Sequence, residues 1–237
     1  MKDHLTTRGV DFIGINIVDD DDALDELNQL GAMALPVVSV GNKFAIGLNM
    51  QQVFELIGLD EDPPELMAAG HLVERIEQIV VAAVRYGGQL LVSHHDQTIP
   101  GRDRTYLGLT NHIVRHVEKF LGFALGAHVA PGGTDPVVLR GHERRVDPPS
   151  RLPARADLAF SELRAWFAEA SAGELDRIVE TSFGKQTLHS LLASCAFSVA
   201  QHTRQLMAVL DMLGIDPDGP LTDGHYEGLP MPTGVWE

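Results

Sequence analysis

The sequence contains a single cysteine, Cys195, among its 237 residues. One cysteine cannot form a disulfide within the chain, and scarce cysteine is typical of proteins from a reducing compartment. The chain also lacks an apolar run of the roughly eighteen residues that a membrane-spanning helix needs. Its first residues are polar and charged, unlike a secretory signal. We therefore expect a soluble, cytoplasmic protein without a membrane partner.

Basic residues are scarce as well. Lys and Arg number 18 against 33 Asp and Glu, which gives a formal net charge of -15 at pH 7. An acidic surface repels phosphate groups, so nucleic acid is not expected as a partner. Aromatic residues make up only 6% of the chain, but the apolar fraction of 44% is sufficient for a hydrophobic core. A small-molecule partner is expected instead, and a homodimer is an alternative assembly.

Common catalytic and nucleotide-binding patterns are missing. The sequence has no Ser-His-Asp order, no Walker motif and no Rossmann glycine pattern. The glycine-rich stretches at 122–126 and 132–133 follow no recognisable strand, so no phosphate-binding loop is expected. Histidine, by contrast, occurs 11 times, and the spacing of three histidines is informative.

The N-terminal part, residues 1–59, predicts a small α/β unit. Its apolar, β-branched stretches indicate strands, and an acidic run at 19–22 suits the start of a helix. Asn49 is a typical helix N-cap, and Gly58 is a typical helix stop. The predicted order is a strand at 10–18, a helix at 23–30, a hairpin of strands at 35–40 and 43–47, and a helix at 50–57.

A charged, proline-rich segment at 60–64 (DEDPP) predicts a linker between two domains. The remainder, 65–237, is predicted to be mainly helical, with four helices that fit an antiparallel bundle. A tail at 217–237, rich in proline and glycine, is predicted to wrap over the surface. The four helices are predicted at 65–91, 103–121, 154–171 and 186–213. The apolar residues expected on the inner face of the third helix are Leu158, Leu163, Trp166 and Phe167.

Two of these helices carry histidines at metal-ligand spacing. His112 and His116 are four residues apart, so they share one helix face. His202 lies on the last helix, and two such faces meeting inside a bundle can surround a metal ion. Three imidazoles would leave one coordination position open, as catalytic zinc sites do. In the alternative, His116 points to solvent or pairs with a carboxylate, and the other two histidines are buried polar residues without an ion.

Residues near these histidines suggest further roles. Gln201 and Gln205 flank His202, and either could orient its imidazole or simply cover the helix surface. Glu118 lies six residues after His112 and is expected at the surface. Cys195 lies on an apolar helix face, where a buried structural thiol is expected and a nucleophile or stray ligand is the alternative.

Four stretches of the N-terminal part follow a pattern found in glutaredoxins: 5–12 (LTTRGVDF), 27–31 (LNQLG), 35–38 (LPVV) and 47–59 (GLNMQQVFELIGL). Residues 4–59 thus resemble the C-terminal two-thirds of a glutaredoxin, which implies an incomplete thioredoxin fold. The strand and Cys-x-x-Cys that precede this region in the family are not present. The resemblance also implies a cis peptide bond before Pro36.

Five stretches of the second part are similar to the DinB superfamily: 100–105 (PGRDRT), 111–113 (NHI), 186–189 (QTLH), 200–206 (AQHTRQL) and 228–236 (GLPMPTGVW). The whole chain resembles glutaredoxin–DinB fusion proteins. The expected fold class is therefore α+β and multidomain but mainly α, with a truncated thioredoxin-like unit followed by a DinB-like four-helix bundle.

The DinB resemblance implies a divalent metal ion, Zn, Ni or Fe, held by three histidines. His112 and His202 match two of the ligand positions. The remaining position falls on Ser198, a poor ligand for such an ion, and His116 could take its place.

The same resemblance implies a low-molecular-weight thiol cofactor and an activity as a thiol-dependent transferase or isomerase. Arg104 and Arg204 are candidates to hold carboxylates of that cofactor. The alternative function is that of a non-catalytic binding or stress-associated protein with a degenerate metal site.

Overall fold

A computed structural model of the chain describes residues 2–15, 21–31, 36–47, 49–61, 65–100, 103–126, 146–181 and 184–236. These parts are mainly helical and contain two small two-stranded sheets. The chain divides into two compact units, Met1–Glu65 and Leu66–Glu237. Each unit has its own cluster of buried apolar side chains.

The described part of the first unit contains a hairpin and three helices. The strands Val37–Val40 (β1) and Lys43–Ile46 (β2) pair antiparallel, as predicted, with Val37 opposite Ile46 and Val40 opposite Lys43. The helix that follows is also confirmed: the Asn49 side chain accepts a hydrogen bond from the backbone N–H of Gln52, and Gly58 ends the helix at a φ of 71°. The elements are α1 (Lys2–Thr7), α2 (Asp21–Leu30), β1 (Val37–Val40), β2 (Lys43–Ile46) and α3 (Met50–Ile57).

The strand predicted at 10–18 is wrong where the structure describes it. Residues 10–15 have no regular secondary structure, and 16–18 lie outside the described residues. A strand needs a neighbouring strand for its backbone hydrogen bonds, and β1 and β2 pair only with each other in the described part of this unit. Ile13 is accordingly 89% exposed.

The thioredoxin-like identity of this unit therefore stays a prediction. The peptide bond before Pro36 involves Leu35, which lies outside the described residues.

In the second unit, the four long helices predicted from the sequence are confirmed, with ends shifted by a few residues. The helix Leu188–Met212 (α8) packs on Ala69–Gln89 (α4) and Tyr106–Ala124 (α5), and Leu152–Glu169 (α6) packs on the same two helices. None of the helices in the described ranges is long and apolar enough to cross a membrane. The elements are α4 (Ala69–Gln89), α5 (Tyr106–Ala124), α6 (Leu152–Glu169), α7 (Ala172–Leu175), β3 (Ile178–Thr181), β4 (Gly184–Thr187), α8 (Leu188–Met212) and α9 (Asp223–Tyr226).

The core of this unit is formed by the inner faces of the four long helices. On α6, Leu163 and Trp166 are buried as predicted, and Phe167 packs against the core. The expectation for Leu158 is wrong, since it is 63% exposed. Leu158 and Leu163 are five residues apart, which is about 140° around a helix, so they cannot share one face.

The tail after α8 wraps over the bundle, as predicted. Its first part is fixed to α4, where Arg85 Nε donates to the carbonyl of Asp218 and the Tyr86 hydroxyl donates to that of Gly219. Its last part, residues 231–236, lies along α8 and is called the strap below. Arg204 Nη1 donates to the carbonyl of Pro232 in the strap at 2.7 Å.

Candidate metal centre

Local signals place the three histidines on well-formed helices. The Thr105 side chain caps α5 by accepting from the N–H of Gly108, and the Thr187 side chain caps α8 by accepting from that of Ser190. Ile113 and Val117, which directly follow the two histidines of α5, are fully buried and pack into the core. The histidines lie beside that core and are partly buried.

The structure brings His112, His116 and His202 together. The ring centroid of His112 lies 4.5 Å from that of His116 and 4.8 Å from that of His202. The rings of His116 and His202 stack, with centroids 5.3 Å apart and an interplanar angle of 23°. One nitrogen of each ring lies within 4.8 Å of the other two, so the three side chains could hold a metal ion.

The spacing of the His112 and His116 nitrogens fits a tetrahedral ion. Zinc–nitrogen bonds of about 2.0–2.1 Å place two ligand nitrogens about 3.3 Å apart. The Nε2 atoms of His112 and His116 are 3.1 Å apart. The candidate ligand nitrogens of all three histidines lie within 4.8 Å of one another. Between two neutral rings at this distance, one Nε2 carries a hydrogen and donates it to the other.

The surroundings keep the imidazoles of His112 and His116 neutral. Burial, which penalises the charged form, is the largest cause that lowers the pKa of His112 far below its ordinary value. The same cause lowers the pKa of His116 well below that value. The neighbouring imidazoles and the charges of Arg104 and Arg115 act in the same direction on both rings. Neutral imidazole is the form that ligates metals.

His202 has a defined hydrogen-bond partner. Its Nδ1 lies 2.8 Å from Oε1 of Gln205. Gln205 is thus the glutamine that contacts the imidazole, whereas Gln201 donates from Nε2 to the carbonyl of Val235 at 2.7 Å. Metal-ligating histidines typically use their second nitrogen in such a contact.

The two arginines predicted to bind a cofactor lie in different settings. Arg104 is close enough to His112 and His116 to lower the pKa of both. Arg204 instead donates from Nη1 to the carbonyl of Pro232 and to Oε1 of Gln201. It therefore holds the strap, and a cofactor role for either arginine stays a prediction.

Glu118 is not the surface residue that the sequence predicts. Its carboxylate accepts two hydrogen bonds from Arg155, at 2.7 Å from Nε and 2.6 Å from Nη2. Arg155 Nη1 also donates to Oδ1 of Asn111 and lies 3.4 Å from Oδ2 of Asp147. The sequence analysis did not predict this buried network. The feature that could have indicated it is Arg155, which lies between two alanines in an apolar helix.

Cys195 and His189 are not in the group of side chains that could hold a metal ion. Cys195 is buried, as expected for a structural thiol, and burial raises its pKa to about 12. His189 Nε2 lies 2.8 Å from the carbonyl of Met67. Ser198, at the remaining ligand-matching position, is partly buried on α8.

Comparison with known proteins finds no family model that matches the chain and no curated protein that matches it. The glutaredoxin and DinB resemblances therefore stay predictions.

Proposed function

We propose that the unit Leu66–Glu237 is a DinB-like domain that binds one divalent metal ion through His112, His116 and His202. The convergence of these imidazoles from α5 and α8 carries the proposal. Imidazole ligands suit Zn, Ni and Fe alike. A set of three leaves an open coordination position, which is the arrangement of catalytic rather than structural zinc sites.

The contacts around the imidazoles support this assignment. Burial keeps His112 and His116 in the neutral form that ligates metals. An ion could accept a lone pair from each of the three rings at once. The Gln205 contact to His202 fixes the remaining nitrogen of that ring, as partners of metal ligands do.

We further propose that the open position takes the sulfur of a low-molecular-weight thiol, and that the protein is a thiol-dependent transferase or isomerase. A divalent ion supplies a lowered pKa for a thiol that coordinates it. The chain would contribute orientation: Arg104 and Arg115 place positive charge beside the imidazoles, which favours an anionic sulfur and the carboxylates of its carrier.

Metal content tests the first proposal. Protein purified without chelators or an affinity tag should hold about one ion per chain. His112→Ala, His116→Ala and His202→Ala should each reduce the content, and His71→Ala, at an exposed position on α4, should not. No metal under any loading condition would instead favour a non-catalytic binding or stress-associated protein with a degenerate site.

A matched pair of ligands tests the second proposal. The cobalt-loaded protein should develop a sulfur-to-cobalt charge-transfer absorption when glutathione, bacillithiol or mycothiol is added. The S-methylated form of the same compound should produce none, because it cannot give a thiolate. Identical spectra with both forms would reject thiol coordination, while leaving the metal site itself standing.

A further inference from the structure

The strap, residues 231–236, is joined to His202 by a chain of hydrogen bonds whose direction can be read from the structure. The chain begins at Arg204, whose guanidinium has only donors. Arg204 Nη1 donates to Oε1 of Gln201 at 3.3 Å and to the carbonyl of Pro232 at 2.7 Å. With its oxygen used in this way, Gln201 presents its Nε2 group to the carbonyl of Val235, at 2.7 Å.

Gln205 donates to the same carbonyl. Its Nε2 lies 3.2 Å from the oxygen of Val235, which can accept both glutamine donors because it has two lone pairs. A backbone carbonyl cannot donate, so the amide nitrogen of Gln205 must face the strap. Its Oε1 is then the atom that faces Nδ1 of His202, at 2.8 Å.

The orientation of the Gln205 amide settles the tautomer of His202. An amide oxygen only accepts, so Nδ1 must carry the hydrogen of the neutral ring. In the neutral ring the lone pair is then on Nε2, which is the nitrogen that can coordinate an ion. With the opposite tautomer, Nε2 would carry the hydrogen and could not ligate an ion.

We infer that the strap is a positioning element of the histidine site: through Gln205, the carbonyl of Val235 selects the Nδ1–H tautomer of His202 and presents its Nε2 to an ion. This inference rests on the proposed metal site. It assigns Gln205 as a positioning residue and gives the strap a role beyond covering α8. The strap is also anchored by Met231 and Trp236, which pack against the core.

Three substitutions separate this role from a general structural one. Gln205→Met keeps the side-chain length and removes both contacts, so the tautomer is no longer selected. Gln205→Glu keeps an acceptor for Nδ1–H but turns an oxygen toward the carbonyl of Val235, so the tautomer should persist while the strap loosens. Gln201→Met removes a donor to the same carbonyl and leaves the contact between Gln205 and His202 in place.

The tautomer is measured directly by two-bond ¹H–¹⁵N correlation NMR of the imidazole rings in the metal-free protein. We expect the His202 signals of an Nδ1–H ring in the wild type, in Gln205→Glu and in Gln201→Met, and an altered pattern in Gln205→Met. The indole signal of Trp236 reports strap docking in the same samples and should change in Gln205→Glu. Zinc affinity should fall about 10–100-fold in Gln205→Met and much less in the other two variants.

An Nε2–H ring in the wild type would overturn the inference, and so would equal losses of zinc affinity in Gln205→Met and Gln201→Met. The tautomer is read without metal, so failure of the proposed function has a different signature. In that case the wild type would show the Nδ1–H ring of His202 yet bind no ion.

Discussion

The guanidinium of Arg155 on α6 forms a two-point ion pair with the carboxylate of Glu118 on α5, with its shorter contact at 2.6 Å. The Arg155 side chain is only 7% exposed, and that of its second acidic partner, Asp147, is 4% exposed. Asp147 is in turn fixed by its N–H, which donates to Oδ1 of Asn111 at 2.8 Å. The network therefore joins α6 to the helix that carries His112.

We expect Arg155→Met to lower the free energy of unfolding by about 3–5 kcal/mol, because it removes the shared cation from a largely buried ion-pair network. The matched control is Arg164→Met on the same helix. Arg164 pairs with Glu77 at 3.3 Å, but its side chain is 61% exposed, and such a pair contributes at most about 1 kcal/mol. Urea unfolding measures both. Equal losses would show that the network adds no more than a surface pair.

Helices α4 and α5 approach closely at Gly87. A Cβ atom at this position would lie 2.4 Å from Cγ2 of Thr110, whereas one at Gly88 would meet nothing within 4 Å. Gly87→Ala should destabilise the protein by about 1–3 kcal/mol through overpacking. Gly88→Ala should stabilise it by up to about 1 kcal/mol, because alanine favours a helix.

Adding Thr110→Ser to Gly87→Ala removes the clashing methyl group and should recover part of the loss. Thermal unfolding of the single and double variants measures this. A double variant no more stable than Gly87→Ala would place the cause elsewhere than in the contact with Thr110.

Cys195 is expected to be unreactive in the folded protein. Burial raises the pKa of its thiol from 9.0 to about 12, which reduces the reactive thiolate by roughly a thousandfold at neutral pH. Alkylation by iodoacetamide, followed by mass spectrometry, should be slow in buffer and fast in urea. Similar rates in both solvents would contradict the buried placement of this thiol.

The metal-free protein should lose stability in acid because of His112 and His116. Their pKa values are lowered in the folded chain, so the unfolded chain takes up protons below about pH 6.5 that the folded chain does not. The stabilisation is therefore complete above that pH and is lost as the pH falls. Each histidine contributes a slope of at most about 1.4 kcal/mol per pH unit.

Urea unfolding with a chelator present, repeated from about pH 7.5 down to pH 5, measures this dependence. His116→Gln should flatten the profile, and His71→Ala should leave it unchanged. A wild-type stability that does not vary over this range would show that the two imidazoles titrate normally in the folded protein.

The sequence predicted best what depends on local chemistry. Asn49 and Gly58 mark the ends of α3 because a side-chain acceptor and a left-handed glycine act within one turn. The four long helices were predictable from their apolar period, although Leu158 was assigned to the wrong face. The lack of a strand at 10–15 was not predictable, because strand formation depends on a partner elsewhere in the chain.

In the site, too, local features were predictable from the sequence and contacts with distant residues were not. Spacing alone placed His112 and His116 on one face, and the facing helix supplied His202. The carbonyl of Val235 could not be foreseen as a partner of Gln205, because a backbone contact 30 residues away leaves no residue-type signal. Glu118 was assigned to the surface because it lies six residues after His112 and so faces away from it on α5. That face of α5 packs against α6, which supplies Arg155.

Zinc K-edge X-ray absorption spectroscopy of the zinc-loaded protein identifies the ligands of the ion. We expect three imidazoles with zinc–nitrogen distances of about 2.0–2.1 Å and one further light ligand. His71→Ala should leave the spectrum unchanged, and His202→Ala should remove one imidazole. A sulfur ligand at about 2.3 Å without added thiol, or the same imidazole count in His202→Ala, would contradict the proposed histidine site.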